Sequence, residues 1–341
     1  MSTIELPNGA ISMTEAERMI NLAYEQNEPL LLLGKPGMGK TSLFEAVAKN
    51  RNIGFIDFRP SLRDPVDIGG MRVPDEKTGK LRHFVPDDLP DPKVHGKEGI
   101  LMIDEINVVG QMLQATLYGL VQERRVGSYR MPKGWVPMAA GNNVADRAAA
   151  QRMSTALANR FNVQTVEPDL KSWLKQYGAE HVDTRGTAFL RFRPELFHIM
   201  PKADQTAFPT ARSWTKAFKF IDVDRTMRRK IIAGYVGMEA ANEFEAFWRI
   251  LENAPSFDSI IDDPKNAPIP GQKDSGTYYA VCSMIARSVD RKNFNNAMIY
   301  VNRMLPDYQV AVVQDATKRQ PDLMKTTGYT SWAVDNQEVT L

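Results

Sequence analysis

Cysteine is almost missing from this sequence. Cys282 stands alone, so no disulfide can form within the chain and no multi-cysteine zinc site can be assembled. Histidine is nearly as scarce: the four residues are scattered and give no H-E-x-x-H or comparable metal pattern. No excess of one charge is present either. A formal net charge of +2 gives no strong global pull toward nucleic acid or acidic membranes. Apolar runs are only a few residues long, which excludes a membrane-spanning helix as the organising element. The polar, acidic N-terminus predicts no signal peptide, and one cysteine fits a reducing compartment, so a cytoplasmic location is expected. No repeat or low-complexity tract is visible. What remains is an ordinary globular composition, 43% hydrophobic and 25% charged, long enough for one large domain or two to three modules.

The chain is organised around Leu30-Leu-Leu-Leu-Gly34-Lys35-Pro36-Gly37-Met38-Gly39-Lys40-Thr41-Ser42. Four leucines read as a buried strand, and Gly34, Gly39, Lys40 and Thr41 fit G-x-x-x-x-G-K-[ST], the phosphate-binding loop. Glycines let successive backbone N–H groups turn inward as an anion nest. A helix starting at about Gly39 would point its positive end at the phosphates. All nine residues from Gly34 to Ser42 are therefore candidate nucleotide contacts, with Lys40 on the β/γ-phosphates and Thr41 on Mg²⁺.

Upstream, Thr14 and Glu17 fit a capping box for a helix carrying Ala16, Met19, Ile20 and Ala23. Downstream, Ile53–Phe58 reads as a second strand. Residues 59–92 are rich in proline, glycine and aspartate, and 71–85 predicts a projecting β-hairpin. Gly99-Ile-Leu-Met-Ile-Asp104-Glu105 is an apolar run ending in two acids, the pattern of a buried parallel strand with carboxylates at its C-terminal edge. In open α/β sheets ligands bind at that edge. A helix bearing Leu113, Leu117, Leu120 and Val121, a second hairpin turning at Gly127-Ser128, a strand Val136–Ala140 ending in Gly141-Asn142-Asn143, a helix Ala148–Asn159 and a last strand Val163–Val166 follow. Strands alternating with helices imply a parallel, doubly wound sheet. After Glu167-Pro168 the pattern turns helical. Leu170–Tyr177 and Ala211–Phe220 read as helices, as do stripes through Ala240, Phe244, Phe247 and Leu251 and through Phe294, Ala297, Val301 and Leu305. Asp262–Gly276 reads as a loop, and Cys282, beside Val281 and Ile285, as a buried, inert residue.

Ile100-Leu-Met-Ile-Asp104-Glu105 resembles a Walker B strand, with Asp104 in the Mg²⁺ shell and Glu105 orienting and deprotonating the attacking water. Asn142, at the end of the strand Met138-Ala-Ala-Gly-Asn142, could hydrogen-bond both a γ-phosphate and that water; the same residue could equally be a turn asparagine.

The order of these parts is similar to the AAA+ ATPases and, within them, the MoxR family. Gly34–Thr41, Asp64-Pro-Val-Asp-Ile-Gly-Gly70, Ile100–Glu105, Ala139-Ala-Gly-Asn142, Ala156-Leu-Ala-Asn-Arg-Phe161 and Pro209-Thr-Ala-Arg-Ser-Trp214 carry the likeness, which spans most of residues 30 to 215 and is loose beyond about 250. The resemblance implies an AAA+ core over 1–167 with a five-stranded parallel sheet and hairpin inserts, a helical lid over 168–250 and a helical extension over 251–341. It implies that Asn142 acts as sensor 1, Arg160 as an arginine finger entering a neighbour's site, and Arg212 as sensor 2. It implies ATP and Mg²⁺ as ligands, a hexameric ring, a partner carrying a von Willebrand factor A domain, and remodelling of a protein client.

Two other readings stay open on the sequence. Asn143-Val-Ala-Asp146-Arg147 is similar to a segment of GTP-using restriction subunits, and Arg124, Arg125 and Arg130 could contact nucleic-acid phosphates. A non-hydrolysing, nucleotide-dependent assembly scaffold is the third reading, though such a scaffold would not need Glu105.

Overall fold

A computed structural model describes residues 9–84, 86–143, 153–201 and 205–336. The chain divides into two compact units, Met1–Asp169 and Leu170–Leu341.

The first unit is built on the strand β1 (Ala10–Ile11), the helix α1 (Met13–Glu25), β2 (Leu30–Gly34), α2 (Lys40–Arg51) and β3 (Gly54–Phe58). After the short helix α3 (Pro65–Gly69), β4 (Met71–Asp75) and β5 (Lys80–Phe84) form the expected hairpin, with Met71 opposite Phe84. Residue 85 of that prediction lies outside the described residues. Then come β6 (Glu98–Ile103), α4 (Gln111–Gln122), the small hairpin β7 (Arg125–Val126) and β8 (Tyr129–Arg130), β9 (Gly134–Gly141), α5 (Thr155–Ala158) and β10 (Asn162–Val166).

Six strands, not five, make the main sheet, in the order β1-β10-β2-β9-β6-β3, all parallel. The extra strand is β1, whose Ala10 and Ile11 pair with Thr165 and Val166. Two residues are too few to show any periodicity, so the edge strand leaves no trace in the hydrophobic pattern. A second correction follows from it. The capping box of α1 is Ser12 with Glu15, two residues before the expected Thr14 and Glu17. Both pairs fit S/T-x-x-E, and the earlier start places Met13 in the core. The predicted helix 148–159 also shrinks. Its first five residues lie outside the described ones, and the described turn begins only after Ser154, which caps it.

Alternation along each strand separates two cores. Leu30, Leu32, Ile100, Met102, Val136 and Met138 pack with α1 and α2 residues such as Ile20, Phe44 and Val47. Leu31, Leu101, Ile103, Trp135 and Ala139 face the other way, with Leu117, Leu120 and Val121 of α4. With both faces covered, the inner strands read as unbroken apolar runs.

The second unit is helical among its described residues. It holds α6 (Leu170–Trp173), α7 (Ala179–His181), α8 (Thr184–Phe192), α9 (Ala211–Ala217), α10 (Arg225–Val236), α11 (Met238–Asn253), α12 (Phe257–Asp262), α13 (Ser275–Ser288), α14 (Phe294–Val301), α15 (Pro306–Arg319) and α16 (Thr327–Asp335). Phe189, Trp214, Phe218, Phe244 and Phe247 fill one core, and Tyr278, Phe294, Tyr300, Val312 and Trp332 another. Two ion pairs are taken into this unit. Arg228 chelates Glu245 at 2.8 and 2.9 Å beneath the Trp248 ring, and Arg191 chelates Asp315 at 2.5 and 2.8 Å. Cys282 is buried as expected, and burial pushes its thiol well above the usual range. No helix among the described residues is long and apolar enough to cross a membrane.

Trp135 is 1% exposed, and its indole N–H donates to the Gly96 carbonyl at 3.0 Å. Trp135→Ala is expected to cost about 3–5 kcal/mol, read by chemical denaturation, as for other large aromatic deletions in a packed core.

Candidate functional site

The parallel order sets the site. β2 lies between β9 and β10, while the chain leaving β2 runs to the far edge at β3 and returns through β6 and β9. Connections on the two sides of β2 therefore diverge, which opens a crevice beyond the C-terminal strand ends. Gly34, Ile103 and Gly141 all end their strands there.

From Gly34 the chain turns through Gly37 at φ +75° and Gly39 at φ +104°. These are angles that side chains with a Cβ rarely adopt. Gly39 is the N-cap of α2, and no side chain caps that end. Its N–H groups and helix dipole are left facing the crevice, a ready anion cradle. Lys40, only 9% exposed, folds back over the loop. Its ammonium donates to the carbonyls of Gly34 at 2.8 Å and Lys35 at 3.0 Å, and to Asn142 Oδ1 at 3.2 Å.

Thr41 donates its hydroxyl to Asp104 Oδ2 at 2.9 Å, tying the loop to the end of β6. The other Asp104 oxygen accepts from the Glu105 N–H at 2.9 Å. Glu105 has φ +55°, unusual for a residue with a side chain, and its exposed carboxylate accepts from the Ser61 hydroxyl at 3.0 Å. Arg59 leans on the same corner. It pairs with Asp57 at 2.7 Å and lies 3.9 Å from Asp104, and the Asp57 hydrogen bond holds its guanidinium above the usual range.

Two loop residues turn their side chains elsewhere. Lys35 forms an ion pair with Glu167 at 2.7 Å, and Met38 is buried in the sheet core. What both offer the crevice is backbone.

Thr41 and Asp104 supply hard oxygen donors of the kind Mg²⁺ accepts, with phosphate and water completing its shell. Among the described residues no group of three or more His, Cys, Asp or Glu could hold a metal by itself.

Residues 29–163 match the family described as "ATPase family associated with various cellular activities (AAA)". The first unit has the AAA+ P-loop fold. Among solved structures, a candidate ATPase from Cytophaga hutchinsonii is 16% identical over 91% of this chain and 81% of its own, with a TM-score of 0.35. Two single-residue variants of Thermotoga maritima RuvB are 14% and 16% identical, covering 97% and 76% of this chain and 92% and 79% of theirs, at TM-scores of 0.35 and 0.37.

Within the AAA+ core, Lys40, Thr41, Asp104, Glu105 and Asn142 meet at one crevice. Arg160 does not join them. It precedes β10, whose first residue, Asn162, pairs with Leu30 at the opposite end of β2. β2 is five residues long, so at about 3.3 Å per residue its two ends lie roughly 13 Å apart. Arg160 donates to its own helix at the Ala156 carbonyl and sits 4.8 Å over the Tyr118 ring. With Asn27, Glu28, Gln122 and Arg124 it lines a cavity of about 660 Å³. Arg212 belongs to the second unit, exposed in the first turn of α9, which a Thr210–Ser213 capping box starts. The hairpin arginines are partly engaged within the chain: Arg125 pairs with Glu123 at 2.6 Å, and Arg124 donates to the Asn27 carbonyl at 2.8 Å. Of the segment 143–147 only Asn143 is among the described residues.

Gly39→Ala tests the cradle. A Cβ there meets nothing within 4 Å, so its cost is conformational. The variant is expected to lose about 1–3 kcal/mol in thermal unfolding and to weaken nucleotide binding in a direct titration, because the nest can no longer hold its angle.

Proposed function

We propose that this chain is an ATPase of the MoxR type that works as a hexameric ring. It couples hydrolysis to the remodelling or assembly of a protein client, with a partner carrying a von Willebrand factor A domain. The observation that carries the ATPase reading is the pair of contacts Thr41–Asp104 at 2.9 Å and Lys40–Asn142 at 3.2 Å, which draws the ends of β2, β6 and β9 around one point. The ring, the partner and the client rest on the motif resemblance.

The mechanism follows from the chain's own groups. The Gly37–Gly39 turn and the start of α2 cradle the phosphates through backbone N–H groups. Lys40 exchanges carbonyl partners for phosphate oxygens and neutralises their charge. Thr41 and Asp104 would hold Mg²⁺, which when bound would supply charge neutralisation to the phosphates. Glu105 orients and deprotonates the attacking water. Ser61 holds one of its two carboxylate oxygens. Asn142 senses the γ-phosphate.

Arg160 serves a neighbour, since it lies at the sheet edge away from its own phosphate loop. Trans arginines of this kind are worth about 10³–10⁵ in rate. By the same motif resemblance, residues 168–250 are a lid carrying Arg212 as sensor 2, and 251–341 extend that lid.

Glu105→Gln is expected to bind ATP yet turn it over at least about tenfold more slowly, as for loss of a positioned base. Its solution mass with Mg²⁺ and ATP should approach six subunits; normal turnover in this variant would end the assignment of Glu105. Arg160→Ala should be inactive alone, and mixing it with Lys40→Ala should restore part of the activity. A mixture that stays dead removes the trans role.

A further inference from the structure

The turn after β6 carries one more polar side chain, Asn107, set between the buried Ile106 and Val109. Asn107 is itself only 3% exposed. Its carboxamide is engaged at both ends by one residue of another strand. Nδ2 donates to the Asn142 carbonyl at 2.5 Å, and Oδ1 accepts from the Asn142 N–H at 3.2 Å. Only one orientation of the amide satisfies both bonds, so donor and acceptor are fixed by their partners.

This side chain imitates a neighbouring peptide group. The β6–β9 ladder pairs Ile103 with Ala139, and the Ile106 N–H then reaches the Ala140 carbonyl at 3.1 Å. Asn107 continues that sequence to Asn142, beyond the point where β6 has already turned away. Gly141 makes the approach possible: a Cβ there would lie 2.6 Å from Asn107 Oδ1.

We infer that Asn107 is a positioning residue for γ-phosphate recognition. It fixes the backbone of Asn142, so that the Asn142 carboxamide stays beside Lys40 while Glu105, two residues earlier on the same turn, is held in a set relation to it. The inference rests on the reading of Asn142 as the γ-phosphate contact. Without Asn107 the end of β9 keeps its strand but loses the two bonds that aim its last polar side chain.

The test compares wild type, Asn107→Ala, Asn142→Ala and the double variant. Each is titrated with ADP and with ATPγS, and its ATP turnover is resolved into kcat and KM. For Asn107→Ala, ADP affinity should stay within about twofold, while the preference for ATPγS over ADP and kcat each fall about tenfold, the scale of one lost charge-assisted hydrogen bond. Asn142→Ala should match it, and the double variant should lose no more than the worse single variant, as expected for residues acting as one unit. Gly141→Ala, which drives the Asn107 amide away without removing it, should show the same pattern and serves if Asn107→Ala does not fold. Wild-type preference and turnover in Asn107→Ala, additive losses in the double variant, or an equal fall in ADP and ATPγS affinity would each overturn the inference. If Asn142→Ala alone keeps both properties, the γ-phosphate reading has failed and this inference falls with it.

Discussion

The hydrogen bond between the Thr41 hydroxyl and Asp104 joins two parts of the chain that are 63 residues apart. It can form because β2 and β6 run parallel on either side of β9, with their C-terminal ends on the same side of the sheet. Parallel pairing puts all C-terminal ends on one side, and the unsatisfied groups of α2 face that side too. Lys40, Asp104, Glu105 and Asn142 are thus carried to one point by backbone geometry, and each needs only a short reach.

Some of the chain's left-handed backbone angles fall at the same place. Gly37 and Gly39 hold angles closed to other residues, and Glu105 holds a left-handed angle although it has a side chain. Such conformations persist where surrounding bonds over-determine them. Here the bonds are visible: Asp104 accepts from the Glu105 N–H, the Asp104 N–H donates to Phe58, and the Ile106 N–H donates to Ala140. A turn held from two strands can present a carboxylate without the freedom of a loop. The buried sheet beneath supplies the rigidity, since Leu31, Leu101 and Ala139 lie without exposure on one face and Leu32, Met102 and Met138 on the other.

Several features left no usable mark in the sequence. β1 is two residues long, so it has no period to detect. The start of α1 was ambiguous because two overlapping segments satisfy the same capping pattern, and only the packing of Met13 separates them. Ser61 sits in the short helical turn Pro60–Leu62, and its contact with Glu105 is non-local, so no local pattern marks it. Asn107 did carry a signal, a polar residue among Ile106, Val108 and Val109 immediately after the acidic pair. A buried amide in such company requires two partners, but the pattern cannot say where they are.

Residue types and spacing alone determined the phosphate loop, the acid-ended strand, the alternation of strands and helices in the first unit and the helical character of the second. These are local: a turn needing glycine, an apolar run needing burial, a 3.6-residue stripe needing a neighbour. The tertiary structure alone decided that the sheet has six strands, that Lys35 gives its charge to Glu167, that Asn107 braces Asn142 and that Arg160 lies at the edge remote from its own phosphate loop. Each of these depends on which strands are neighbours and where they end. Strand order is set by how two apolar faces are covered at once, a property of the whole sheet that no segment carries by itself.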